Sequence, residues 1–265
     1  MRILFIGDVV GRPGRDAVKR WLPELRSQYG IDFTAANGEN SAGGLGATPQ
    51  TVRELRQSGV DALTMGNHVW RKKELMRAMD DFPEVVRPAN YPEGAPGQGS
   101  TVVQAANGVR VGLVNLLGRV FMEPLEDPFR RGREEVERLR EQTPIILVDM
   151  HAEATSEKIA MGWYLDGAAS AVVGTHTHVQ TADEDILPEG TAYITDIGMT
   201  GPFDSVIGVE HEAVIKKFTT GMPHPFNVSK NAPGLNAVVL EIDAETGKAA
   251  SIERVVRRDE AQGRR

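Results

Sequence analysis

The sequence predicts an α/β protein built on parallel, helix-covered sheet. Three observations predict it. Strand, polar loop and helix alternate three times within residues 1–80. The same rhythm resumes near residue 145 after a Pro- and Gly-rich middle. The predicted strand ends collect histidines beside acidic and amide side chains, which is where parallel sheets place their sites.

Each element has its own warrant. Arg2–Ile6 is an apolar run closed by Gly7-Asp8, and reads as the first strand. Arg15–Gln28 carries apolar residues at 17, 18, 21, 22 and 25, a helical spacing. Ile31–Ala36 reads as the second strand, ending at "NGENSAGGLG". Thr48–Ser58 reads as a helix, with Thr48 as N-cap and Pro49 in the first turn. Val60–Met65 is a third strand, ending at "GNH", and Lys72–Met79 is again helical. Val85–Gly99 reads as loop. Thr101–Ala105 and Val109–Leu116 read as a hairpin through "ANG". Residues 118–132, with Pro124 and Pro128, are expected to be an irregular loop, followed by a helix over Glu134–Glu141.

Further on, Ile145–Val148 is a strand ending at "DMHAE", Thr155–Leu165 a helix, and Ala168–Val173 a strand ending at "GTHTH". Residues 183–187, 191–195, 235–242 and 250–256 read as strands. Residues 198–232 are expected to be one long loop, a candidate lid, holding His211 and His224 with no metal role. The aromatic pair Trp163-Tyr164 is expected in the core, and the terminal "GRR" is expected to fray. Neither repeat nor linker divides the chain, so residues 1–265 are read as one domain.

Composition narrows the function. The 265 residues are 40% hydrophobic and 25% charged, with a net charge of −7. That balance disfavours salt-driven binding to a long nucleic acid, but not a small phosphate ligand in a local site. There is no cysteine, so thiolate metal sites and disulfides are excluded. No stretch approaches the ~18 apolar residues of a membrane span, and the N-terminus lacks a signal-peptide pattern. A cytoplasmic protein without a membrane partner is expected. A homo-oligomer is left open.

The strand ends carry the chemistry. Asp8 closes the first strand; Asn37, Glu39 and Asn40 the second; Asn67 and His68 the third; His151, then His176 and His178, two later ones. Any of these alone could be a turn residue or an interior histidine. Together they form a mixed nitrogen and oxygen set suited to borderline or hard divalent ions. The donors are too many for one tetrahedral zinc and suit two ions sharing a carboxylate. Glu39 is the natural bridge, because its carboxylate offers two oxygens. Two close ions suit in-line displacement at a phosphate ester. Asp149 and Glu153 flank His151 at alternate positions and are candidates to orient a ligand histidine. Thr175 and Thr177 are candidates to bond metal-bound oxygens or to satisfy the turn. Arg12, Arg87 and Arg119 lie in loops that could reach a phosphate, with surface pairing as the plainer reading.

At these residues the chain resembles the calcineurin-like metallophosphoesterases. Their motifs are Asp-x-His, a bridging acid, Gly-Asn-His, a His, and Gly-His-x-His, in that order. Here "GDVVG" has Val10 in place of the first histidine, "NGEN" has Glu39 in place of the usual Asp, and "GTHTH" has an added Thr175. Those departures, with "GDVVGRPGR", "GNHVW" and "TDIGMTGPFDS", resemble the bacterial YmdB-type phosphodiesterase branch. The resemblance implies a four-layer α/β/β/α sandwich with the metal site at the carboxyl ends of the strands. It implies one ion on Asp8, Glu39, Asn40 and His178, and a second on Glu39, Asn67, His151 and His176, with a bridging hydroxide as nucleophile. It makes His68 the proton donor to the leaving oxygen; the rival reading puts His68 on a metal and leaves Asn67 as a turn former. The implied activity is hydrolysis of 2′,3′-cyclic or 3′,5′-cyclic nucleotides. The implied cofactor is two divalent ions, Fe or Mn first, with Zn, Co or Mg left open. A phosphomonoesterase or nucleotidase, a small-RNA nuclease, and a metal- or nucleotide-sensing regulator without turnover remain as alternatives.

Overall fold

The computed structural model describes residues 1–258; the "GRR" tail lies outside them. Two sheets form the centre. Numbered along the chain, the first sheet runs β2 (Asp8–Val9), β12 (Met199–Pro202), β13 (Pro233–Ile242), β1 (Arg2–Ile6), β3 (Phe33–Asn37), β4 (Ala62–Thr64), β5 (Val85–Val86), with β14 (Ala249–Arg258) also paired to β13. The second runs β10 (Asp185–Ile186), β11 (Ala192–Ile194), β9 (Ala171–Thr175), β8 (Ile146–His151), β7 (Arg110–Leu117), β6 (Ser100–Gln104). The strands β1, β3, β4 and β5 are parallel, as are β7, β8, β9 and β11. Each set therefore sends its carboxyl ends to one edge.

Strand alternation explains the layering. On β1, Ile3 and Phe5 join a core between the sheets, while Leu4 and Ile6 face the other way, into a core with Val18, Leu22, Val52 and Leu55. Those partners belong to α1 (Gly11–Tyr29) and α2 (Pro49–Gln57). On β8, Leu147 joins the inter-sheet core, while Ile146 and Val148 pack with Val136, Leu139 and Met161. Those belong to α4 (Pro128–Arg140) and α5 (Thr155–Tyr164). Strands with two apolar faces thus dictate four layers, α/β/β/α. Leu75 of the short α3 (Lys73–Ala78) joins the first helical layer.

Most predicted elements are present, with shifted ends. Thr48 caps α2 as expected, its side chain accepting from Thr51 N at 3.2 Å. Three expectations are corrected. Pro128 does not mark loop: it opens α4, behind an Asp127 cap that accepts from Phe129 N and Arg130 N. Pro lacks the N–H that the first helical turn leaves unused, so a proline there starts a helix as readily as it breaks one. The 198–232 segment is not one loop, since β12 and α6 (His211–Thr220) lie within it. Trp163 and Tyr164 are exposed at 57% and 41% rather than buried; α5 turns Lys158 and Met161 inward instead.

The inter-sheet core makes a specific expectation. Phe5 is fully buried there. Phe5→Ala should cost about 3–5 kcal/mol in chemical denaturation, the scale for an aromatic removed from a packed core. A loss below ~1 kcal/mol would mean that the sheets do not pack as described.

Candidate metal centre

The carboxyl edges of both sheets meet at one place. The first sheet delivers Asp8 after β1, Glu39 and Asn40 after β3, and Asn67 and His68 after β4. The second delivers His151 as the last residue of β8, and His176 and His178 just past β9. Asp8, Glu39 and His151 are fully buried, and Asn40 nearly so. Contacts knit the two sets together. Glu39 Oε1 lies 3.1 Å from His68 Nδ1 and 3.3 Å from His151 Nε2. His151 Nε2 is 3.0 Å from Asn67 Oδ1. His178 Nε2 is 3.3 Å from Asn40 Nδ2 and 3.7 Å from Asp8 Oδ1. The His151 and His176 rings stand edge to face at 4.8 Å. Glu39, His151 and His176 offer donor atoms within 4.8 Å of one another. All eight expected site residues therefore share one centre. Asn37 lies beneath it, donating to Asp149 Oδ2 at 3.0 Å and to Met65 O at 3.1 Å.

The surroundings fix which ring nitrogen faces inward. Thr175 donates its hydroxyl proton to Asp149 Oδ1 at 2.6 Å, so its oxygen accepts from His151 Nδ1 at 2.8 Å. That leaves His151 Nε2 facing the oxygens of Glu39 and Asn67. His178 Nδ1 donates to Ile207 O at 2.9 Å, which leaves its Nε2 toward Asp8 and Asn40. Asp149 thus orients His151 through Thr175 and not directly. Glu153 reaches a different histidine, His176, at 3.2 Å. Gly66 keeps the backbone close: a Cβ there would sit 2.3 Å from His151 Nε2 and 2.4 Å from Glu39 Oε2.

His176 and His178 hold backbone angles of φ 94° and 66°, a region few non-glycine residues adopt. Thr177 between them is pinned from below. Asp196 accepts from Thr177 N at 3.2 Å, from the Thr177 hydroxyl, and from Gly198 N at 2.7 Å. Its countercharge is Lys158 Nζ at 2.8 Å, and both side chains are fully buried. This pair was not found from sequence. The available signal was Lys158 on the inward stripe of α5, in line with Met161 and Leu165. Of the two readings of Thr175 and Thr177, bonds to metal-bound oxygens are set aside, since both hydroxyls donate to buried carboxylates that hold the turn. The arginines are engaged elsewhere, Arg12 with Asp16, Arg119 with Asp127, and Arg87 with carbonyls of its own loop.

Electrostatics favour a cation here. Burial pushes the Asp8 carboxyl up to about 6, against the opposing pull of His178 and His151. Asp8 Oδ1 is buried and accepts no hydrogen bond, an expensive condition for a carboxylate oxygen. Burial also disfavours charge on Glu39, yet His151 and His68 outweigh it and hold the carboxyl well below its ordinary range. Burial opposes charge on His151 too, but Glu39, Asp8 and Asp149 raise it to about 9. Burial and then His151 lower His176 to about 3, so that ring is a neutral donor. A buried carboxylate oxygen that accepts no hydrogen bond, beside inward-facing imidazoles and the Asn67 amide oxygen, fits hard or borderline divalent ions.

Two facing sheets wrapped in helices, with a His, Asn, Asp and Glu cluster at their joined edges, define the metallophosphoesterase fold. Within it, the YmdB-like protein family model matches residues 4–255, and the chain belongs to that family. It is 56% identical over 260 residues to a 2′,3′-cyclic-nucleotide 2′-phosphodiesterase of Bacillus subtilis, covering 98% of both chains. It is 38% identical to a candidate phosphatase/phosphodiesterase of Mycoplasma pneumoniae, covering 96% of this chain and 92% of that one. Among solved structures it matches a hypothetical protein of Thermus thermophilus at TM-score 0.89 and 45% identity, covering 97% of this chain and 99% of that one. It also matches a novel phosphatase of Mycoplasma pneumoniae at TM-score 0.91 and 37% identity, covering 97% and 93%.

The clamp can be separated from general stability. Lys158→Met alone should cost about 3–5 kcal/mol, because it leaves Asp196 buried without a countercharge. The pair Lys158→Met with Asp196→Leu should recover part of that stability in thermal melts. It should not recover affinity for Mn(II), because Thr177 has lost its anchor. Wild-type Mn(II) affinity in the double variant would show that the clamp does not position the histidines.

Proposed function

We propose that the protein is a metal-dependent phosphodiesterase acting on cyclic nucleotides. The observation that carries this reading is the convergence of Asp8, Glu39, Asn40, Asn67, His151, His176 and His178 at one buried edge, where Asp8 Oδ1 accepts no hydrogen bond. The 56% identity to a protein named as a 2′,3′-cyclic-nucleotide 2′-phosphodiesterase supports the substrate class. Asp8, Glu39, Asn40 and His178 would hold one divalent ion. Glu39, Asn67, His151 and His176 would hold a second, with Fe or Mn the first candidates. The contacts support that division, since His178 Nε2 faces Asp8 Oδ1 while His151 Nε2 faces Asn67 Oδ1. Bound there, the ions would supply Lewis acidity toward a phosphoryl oxygen and toward the attacking water.

The chain's own residues do the rest. His68 is held through Nδ1, 2.7 Å from Asn40 Oδ1 and 3.1 Å from Glu39 Oε1. It also lines the cavity beside the cluster. When protonated, it commits one proton to those partners and offers the other at Nε2. In hydrolysis of a 2′,3′-cyclic phosphate, water adds to phosphorus and gives up a proton to solvent, the P–O2′ bond breaks, and the O2′ leaving oxygen takes the His68 proton, which solvent then replaces. The backbone N–H of His68 also donates to Glu39 Oε2 at 2.9 Å, so bridge and donor are fixed to each other. The division of labour favours Asn67 and not His68 as the ligand, because Asn67 Oδ1 points at His151. A monoesterase is the second reading, favoured by the structural match to a protein called a phosphatase.

Two substitutions test the roles. His68→Ala should retain bound metal and lower turnover of 2′,3′-cyclic AMP by about 100-fold or more; loss of half the metal would make His68 a ligand. Glu39→Gln should weaken both ions together in a Mn(II) titration, because the bridge loses a charge shared by both. Loss of one ion with the other held at full affinity would refute the bridge.

A further inference from the structure

A cavity of about 400 Å³ opens directly off the metal centre, with Glu39, Asn40, His68, His176 and His178 on its inner side. Its size falls in the roughly 300–1,000 Å³ range of small-ligand pockets. Its outer wall has a different chemistry. It is built by Leu45 from the loop after β3, and by Ile207, Val214, Phe218 and Phe226 from the 203–228 segment. Beyond the metal-centre residues, Lys217 is the one polar side chain among the described residues that line it. Lys217 Nζ sits 4.8 Å above the Phe226 ring and braces it by cation–π contact.

Several of these apolar groups face solvent. Phe218 is 82% exposed, Ile207 53% and Phe226 47%. Exposed aromatic surface at the mouth of a site is costly unless something covers it. The wall is also coupled to the metal centre. Ile207, at φ 45°, supplies the carbonyl that accepts from His178 Nδ1. Paired backbone bonds between Val206 and Val209 fix that turn, and Ser229 N donates to Gly208 O. The helix α6 that carries Phe218 buries only Val214.

We infer that this wall is a nucleobase subsite, with Phe218 and Phe226 as stacking platforms and the cluster at its inner side taking the phosphate. The inference deepens the cyclic-nucleotide reading and rests on it. A nucleotide has its charge at one end, a flat apolar-faced ring at the other and a ribose between. The cavity has the same polarity, a polar cluster at one end and aromatic rings at the other. Among the described residues, the outer wall offers no amide, carboxylate or hydroxyl side chain to read a base edge. The subsite therefore selects for the presence of a base and tolerates its identity, as stacking platforms do.

Calorimetry on the Mn(II)-loaded protein tests this with adenosine 3′-monophosphate and ribose 5-phosphate as probes. The nucleotide should bind about tenfold tighter or more, the scale of one stacked base. Cytidine, guanosine and uridine 3′-monophosphates should keep most of that preference. Phe218→Leu, which keeps apolar bulk without a ring, should lose most of it, and Phe218→Trp should restore it. Phe218 is exposed enough that neither change threatens the fold. Equal binding of nucleotide and sugar phosphate would overturn the subsite. So would an unaltered preference in Phe218→Leu accompanied by dissociation of an oligomer, which would assign the ring to a second copy of the chain. Turnover of bis(p-nitrophenyl) phosphate without any base preference overturns the subsite alone. Base preference without turnover of any phosphodiester upholds the subsite and overturns the phosphodiesterase reading.

Discussion

The structure depends on the burial of four carboxylates where the two sheets meet. Asp8, Glu39, Asp149 and Asp196 are each fully shielded from water. A buried carboxylate is tolerable only with a countercharge or a full set of donors. Asp149 takes hydrogen bonds from Thr64, Thr175 and Asn37, and Asp196 is paired with Lys158. Glu39 accepts from His68 N and Asn40 Nδ2 and faces His68 and His151. Asp8 keeps one oxygen that accepts no hydrogen bond, with His178 Nε2 3.7 Å away. Asp149 and Asp196 thus lie behind the cluster, and Asp8 and Glu39 face it.

The same order explains the loop geometry. A turn with two inward histidines on either side of Thr177 needs backbone angles that side chains resist, and His176 and His178 both adopt them. Such strain persists only where the surroundings over-determine it. The Lys158–Asp196 pair below Thr177, Asp149 behind Thr175, and Ile207 O against His178 supply that determination from three directions. Two of the anchors come from the 196–208 stretch, so the segment that walls the cavity also helps to set the metal centre.

Much of this was legible in the sequence, for a physical reason. A parallel strand closes on its site, so Asp8, Asn40, Asn67, His151 and His178 announce themselves as polar residues just past apolar runs. The four layers came with the family resemblance, and the structure supplies their physical reason: strands such as β1 and β8 are apolar on both faces. What escaped were features that depend on partners far along the chain. Lys158 looks like an ordinary helical lysine until Asp196, 38 residues later, is placed against it. Thr175 looks like a turn residue until Asp149 is seen behind it. Within residues 198–232, α6 was missed because its outward face carries Ile215 and Phe218, which blurs the amphipathic pattern. Pro128 was misread because a helix-starting and a helix-breaking proline are the same letter.

In the proposed centre both sheets feed two ions through the Glu39 carboxylate. Electron paramagnetic resonance of the protein loaded with Mn(II) reads this directly. Ions joined by a shared carboxylate should give an exchange-coupled spectrum once two ions are bound per chain. An uncoupled single-ion spectrum at saturation, or saturation at one ion per chain, would contradict the account.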